Sequence, residues 1–115
     1  MNRIRYRYHH LGIPTTRPVA GEVYMEEYRI WHAGYEESEF GIEWMRYGEG
    51  CDLPELVKTV PHVAFEVDDI HEAIRGRKVI IPPNSPSEGV IVAFIEENGA
   101  PVEFLQVEGK KQTGQ

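Results

Sequence analysis

Ile42-Glu43-Trp44-Met45-Arg46-Tyr47-Gly48-Glu49-Gly50 and Val102-Glu103-Phe104-Leu105-Gln106-Val107-Glu108-Gly109 are two versions of one pattern. Each runs aliphatic, Glu, aromatic, aliphatic, polar, apolar, and each soon reaches Glu-Gly. Alternation with period two marks both as strands. In the first, Ile42, Trp44 and Arg46 share one face, and Glu43, Met45 and Tyr47 share the other. In the second, Glu103 shares its face with Leu105 and Val107. Upstream, His10-Leu11-Gly12-Ile13 pairs with His62-Val63-Ala64-Phe65. Each half of the 115-residue chain thus opens on a strand with His and closes on a strand with Glu, the two separations being 33 and 41 positions. Halves of about 55 residues are marginal alone and would have to pack together.

The remaining segments fit around these four strands. Arg3 to Ile13 alternates, with Ile4, Tyr6, Tyr8 and His10 on one face and Arg3, Arg5, Arg7 and His9 on the other, and the prolines at 14 and 18 end it. Gly21 to Tyr28 suits strand and helix alike. Tyr28 to His32 reads as a strand, and Glu36-Glu37-Ser38-Glu39 as a turn or loop. Asp52 to Thr59 is predicted to be a short helix with Asp52 as N-cap and Pro54 in the first turn. A second short helix, Ile70 to Arg75, takes Asp68 or Asp69 as cap, with Glu72 available for a capping box. Strands are predicted over His62–Val67, Lys78–Ile81, Val90–Glu96 and Pro101–Val107. Pro82 to Gly89 reads as a loop, Asn98-Gly99 as a hairpin turn and Gly109 to Gln115 as a frayed tail.

Composition narrows the function. With 41% apolar and 27% charged residues the chain has ordinary globular usage. Its net charge is −7, and basic residues cluster only at Arg3/Arg5/Arg7, Arg75 to Lys78 and Lys110-Lys111, which is thin for a nucleic-acid partner. No apolar run approaches a membrane span, and the N-terminus has no apolar signal core. A cytoplasmic protein without membrane contact is expected. The single cysteine, Cys51, fits a reducing compartment and reads as a loop or helix-entry residue rather than a nucleophile. No phosphate-loop pattern is present.

Two His and two Glu at equivalent points of a duplicated unit carry the chemistry. Imidazole and carboxylate together favour a divalent Zn, Ni, Co, Mn or Fe ion. Packing of the two halves about a pseudo-twofold axis would gather all four around one ion. A carboxylate buried on an apolar strand face would otherwise neutralise or seek a cation. The other reading of the same residues is plain: half-buried hydrogen-bonded His, and Glu facing solvent.

Together with His9-His10-Leu11-Gly12-Ile13, Gly41-Ile42-Glu43, Pro61-His62-Val63-Ala64-Phe65-Glu66-Val67-Asp68-Asp69 and Gly99-Ala100-Pro101-Val102-Glu103-Phe104-Leu105, the chain resembles the vicinal oxygen chelate superfamily over nearly its whole length. That superfamily includes glyoxalase I, methylmalonyl-CoA epimerase, fosfomycin- and bleomycin-resistance proteins and extradiol dioxygenases. The resemblance implies a single glyoxalase-like α+β domain over 1–115, built of two βαβββ-type modules forming a curved open sheet. The modules fall at about 3–50, abbreviated, and about 61–108. It implies His10, rather than His9, with Glu43, His62 and Glu103 as metal ligands. Pro14 stands where glyoxalase I carries an arginine for the carboxylate of glutathione, which weakens glutathione as a substrate.

The expected activity is that of a metal-dependent lyase or isomerase, lactoylglutathione lyase-like or epimerase-like, stabilising an enediolate of a small oxygenated substrate. Glu103 is the first choice of base and Glu43 the second. The alternative is a small-molecule sequestration protein of the bleomycin-resistance type, without catalysis. Asn84, Ser85 and Ser87 in the Pro82–Gly89 segment are expected to meet substrate, and His32 is a candidate to line the cleft. His71 is expected on an exposed helix face. A homodimer is expected, because a short open sheet leaves edges and aromatic surface to cover.

Overall fold

The computed structural model of the chain describes residues 3–108, so the tail from Gly109 and the Lys110-Lys111 pair lie outside it. The elements in order are β1 (Arg7–Pro14), β2 (Val23–Met25), β3 (Ile30–Ala33), β4 (Ile42–Tyr47), α1 (Glu55–Thr59), β5 (His62–Glu66), α2 (Ile70–Ile74), β6 (Lys78–Ser87), β7 (Val90–Glu97) and β8 (Ala100–Val107). The strands form one curled mixed sheet in the order β2-β3-β4-β1-β5-β8-β7-β6. The fold is α+β. β4 runs parallel to β1 and β8 parallel to β5, while every other neighbouring pair is antiparallel. The two His-bearing strands therefore lie side by side at the centre, each with its Glu-bearing strand outside it.

The two faces of the sheet are built differently. On one, α2 covers the second half, and Val67, Ile70, Ala73, Ala93, Ile95 and Phe104 form a core. On the other, Ala64, Val92 and Leu105 form a smaller cluster around the central strands. The alternation of β8 explains the split: Phe104 faces the helix, and Glu103 and Leu105 face away from it. Between β1 and β2 no helix occurs among the described residues, and Trp44 is 39% exposed.

Several local expectations hold. Asp69 caps α2, its Oδ1 accepting from the backbone N–H groups of His71 and Glu72 at 3.1 and 3.3 Å. Asn98 and Gly99 both take positive φ, 56° and 84°, the geometry a two-residue hairpin turn demands. His71 is exposed.

Other expectations are corrected. β1 starts at Arg7 and includes Pro14, and its register with β5 shifts between Tyr8 and His10. That bulge breaks the alternation, so Tyr8 is 52% exposed while His10 is buried. The ambiguous segment is a strand over Val23–Met25. A turn, in which the Arg29 N–H donates to the Met25 carbonyl at 2.8 Å, then delays β3 to Ile30. Asp52 does not cap α1; Pro54 occupies the N-cap without a side-chain hydrogen bond. Glu72 pairs with Arg75 instead of closing a capping box. The largest correction is Pro82 to Ser87, expected as a loop and found as the outer part of β6. Proline is tolerated there because β6 is an edge strand whose pairing with β7 shifts register three times.

Candidate metal centre

The register of the four central strands decides the site. His10 pairs with Ala64, and Ala64 pairs with Glu103, which makes one row across β1, β5 and β8. Glu43 pairs with Gly12, and Gly12 pairs with His62, which makes a second row across β4, β1 and β5. Directly paired residues share a face, and so do residues two apart on one strand. Both rows therefore present their side chains to the same side. Each row has a long polar residue at both ends and a small one in the middle, and the small residues leave room for the long ones to lean inward.

Gly12 is small for a steric reason. A β-carbon there would overlap the His62 ring, standing 2.8 Å from Nδ1 and from Nε2. Phe94 meets the same ring edge-on with 5.0 Å between centroids. The His62 ring is thus held from two sides.

The polar ends converge. Glu103 Oε1 lies 3.0 Å from His62 Nε2 and 3.3 Å from His10 Nε2, and the two Nε2 atoms are 3.4 Å apart. His10, His62 and Glu103 are all buried. Donor atoms about 2.0–2.2 Å from a common ion stand roughly 3–3.5 Å from one another, the size of this triangle. The buried His10, His62 and Glu103 group could hold a metal ion.

Glu43 stands beside the triangle rather than in it. Its Oε1 is 3.8 Å from His10 Nε2, and its Oε2 is 3.2 Å from His32 Nδ1. His32 lines the cavity and is the imidazole partner of Glu43.

Electrostatics follow the geometry. Burial alone would raise the Glu103 carboxyl, but hydrogen bonds from His10 and His62 and their charge outweigh it and hold the group at about 2. Burial opposes protonation of His10, yet the Glu103 hydrogen bond and the charges of Glu103 and Glu43 leave it above its ordinary 6.5. Tyr47 is pushed upward by burial and by the charges of Cys51, Glu103 and Glu43, so it stays a neutral phenol.

His9, set aside in favour of His10 on resemblance, has a structural part. Its Nδ1 lies 2.8 Å from His10 Nδ1, and its ring stacks on Tyr35 with 5.2 Å between centroids and an interplanar angle of 6°. The bulge in β1 brings two consecutive imidazoles together, which strict alternation would forbid. The only trace in the sequence is the His-His pair itself.

The donors open into a cavity of about 200 Å³. Asn84 reaches it, although its Nδ2 already donates to the carbonyls of Pro82 at 2.9 Å and Val92 at 3.4 Å. Ser85 and Ser87 do not line it. In a strand Asn84 and Pro86 face one side and the serines the other; both serines are exposed, and Ser85 Oγ donates to the Val90 carbonyl at 2.6 Å. Cys51 is buried, and its carbonyl accepts from Lys58 Nζ at 2.8 Å.

No family model matches the chain, and no curated protein matches it. Among solved structures the fold is similar to the crystal structure of a hypothetical protein from Bacillus halodurans C-125. The two share 20% sequence identity with a TM-score of 0.67, over 90% of this chain and 95% of that one. At that identity the likeness concerns the fold alone. The curled open sheet fits a vicinal oxygen chelate fold. Among the described residues no helix is long and apolar enough to cross a membrane.

Proposed function

We propose that the protein is a glyoxalase-like member of the vicinal oxygen chelate superfamily, a metal-dependent lyase or isomerase for a small substrate with two adjacent oxygens. The observation that carries this reading is the convergence of His10 Nε2, His62 Nε2 and Glu103 Oε1 at the wall of a cavity. Two neutral imidazoles and a carboxylate suit Zn, Ni, Co, Mn or Fe(II). Glu43 is close enough to complete the set or to stay free. A bound divalent ion supplies Lewis-acid stabilisation for negative charge developing on the substrate oxygens.

The chain's own residues do the rest. We assign proton transfer to Glu43 first and Glu103 second, reversing the order the sequence suggests. Glu103 receives hydrogen bonds from two imidazoles, which makes it a weak base. Glu43 is anchored through one oxygen to His32 and turns the other toward His10 and the donor triangle. Its carboxylate would take the proton from the carbon beside the carbonyl and return it to the former carbonyl carbon, while the hydroxyl proton passes to the former carbonyl oxygen, which completes an isomerisation without a co-reactant.

The test begins with protein purified without a histidine tag. Elemental analysis at neutral pH should find a transition metal in stoichiometric amount. Proton NMR in deuterium oxide should show metal-dependent exchange at the carbon beside the carbonyl of an α-hydroxyketone. Absence of metal binding would reject the reading. Binding of the ketone without exchange would place the protein with the sequestration class instead.

A further inference from the structure

The donor cluster is an island in an apolar cavity. Met25, Ile30, Met45, Val57, Ile81 and Phe94 make up much of the remaining wall. The Asn84 amide faces the space but is tied to two backbone carbonyls. Among the described residues no lysine or arginine lines the cavity, whereas two carboxylates, Glu43 and Glu103, do. A polar recess shares Tyr28 and Leu53 with the cavity; its one cation, Arg29, is outnumbered by Glu27 and Asp52. An anionic group held against the cavity wall would therefore meet no lysine or arginine there, and in the recess beside it the single Arg29 is offset by Glu27 and Asp52. The walled part has room for an apolar group of about one ring: an apolar cavity of roughly 150 Å³ accepts a benzene-sized molecule, and this cleft, open on one side, is about 200 Å³.

We infer, resting on the metal-dependent reading above, that the substrate is an uncharged molecule with two adjacent oxygen functions at one end and an apolar body. That body is the size of one substituted aromatic ring or a short branched chain. The oxygens address the His10–His62–Glu103 triangle and the body fills the wall opposite. An anionic group on that body is disfavoured by Glu43 and Glu103 and by the lack of lysine or arginine in the lining.

Three probes share the α-hydroxyketone and differ in the group attached to it. These are 2-hydroxyacetophenone, neutral and aromatic; its 4-carboxylate, aromatic and anionic; and dihydroxyacetone, neutral without an apolar body. Calorimetric titration of the metal-loaded protein should give 2-hydroxyacetophenone an affinity roughly tenfold or more above either of the others. Equal or tighter binding of the carboxylate or of dihydroxyacetone overturns the inference, as does failure of 2-hydroxyacetophenone to bind at all. The same titrations on chelator-treated protein separate the two claims. If 2-hydroxyacetophenone binds equally well without metal and the carboxylate is still refused, the neutral apolar preference stands and the metal-dependent reading falls.

Discussion

His9 Nδ1 and His10 Nδ1 face each other at 2.8 Å, so one ring must donate and the other accept. With His10 Nε2 directed at Glu103 and His62, the consistent arrangement puts the proton on His10 Nδ1 and leaves His9 Nδ1 as acceptor. His9 is suited to this part, since burial and then the neighbouring His10 lower its pKa and keep it neutral. The outer nitrogen of a metal-binding imidazole is commonly fixed in this way.

His9→Phe keeps a ring against Tyr35 and removes the acceptor. Metal affinity should fall roughly 10- to 100-fold, with the far-ultraviolet circular dichroism unchanged. Competition against a chromophoric chelator reads the affinity. Unaltered affinity in the folded variant would show that His9 plays no part.

Gly12→Ala tests the ring contact on the other side of the site. The new methyl would overlap His62, so strand and ring must separate. A loss of about 1–3 kcal/mol in unfolding free energy is expected, as for other overpacked interiors, together with weakened metal binding. Urea titration measures the first. A variant as stable as the parent would mean that the ring moves freely.

The two carboxylates should separate under substitution. Glu103→Gln is expected to lower metal affinity strongly, because Glu103 touches both imidazoles. Glu43→Gln is expected to keep most of the affinity and lose proton exchange at the α-hydroxyketone. Glu36→Gln, outside the cavity lining, should do neither. Equal metal loss in the first two would make Glu43 a full ligand rather than a base.

Acidity should act in opposite directions on the empty and loaded protein. Glu103 is held near 2, below its ordinary 4.5, so its stabilisation is present above 4.5 and lost as pH falls toward 2. His10 is raised above 6.5, so its stabilisation is complete below 6.5 and lost as pH rises through the folded value. The lowered His9 gives the opposite slope, losing stability as pH falls below 6.5, so metal-free protein should be most heat-stable in a window around pH 6.5. Metal affinity should climb as pH rises above that window, when His10 gives up its proton. Thermal melts with and without chelator, taken from pH 4 to pH 9 in steps of about one unit, check both slopes. Stability of the metal-free protein that increases from neutral to alkaline pH would contradict the argument.

We also expect a homodimer. The edge strands β2 and β6 are unpaired on one side among the described residues, and Phe40, Tyr8 and Trp44 are exposed at 68, 52 and 39%. Light scattering should give twice the monomer mass, and Trp44→Glu should shift it toward the monomer. A monomer mass for the parent at micromolar concentration would reject this.

How much of this could be read in advance depended on how local the signal was. The Glu-bearing strands were legible because alternation is written in adjacent residues, and the cap at Asp69 because it acts over three positions. The His/Glu pairing was legible because the pattern recurs. The bulge at Tyr8–His10 was not, since a register shift is a property of two strands. It alone brings His9 to His10. Three prolines and two serines hid the outer half of β6, because turn chemistry and an irregular edge strand use the same residues. The His32–Glu43 contact comes from β3 lying beside β4, a neighbour relation that no spacing announces.

The crossed rows have a consequence for how the molecule holds together. His10 shares a row with Glu103, and His62 shares one with Glu43, so each row draws its two polar ends from different halves of the chain. Neither half alone can assemble the triangle. An ion that binds there acts as a clasp across the β1–β5 seam, and its binding free energy becomes resistance to the halves coming apart. The donor set forms only after residues more than fifty positions apart have met, and such distant pairings are entropically costly to close. Occupancy would thus report the completion of folding, and stripping the ion with a chelator would loosen the seam before the edges.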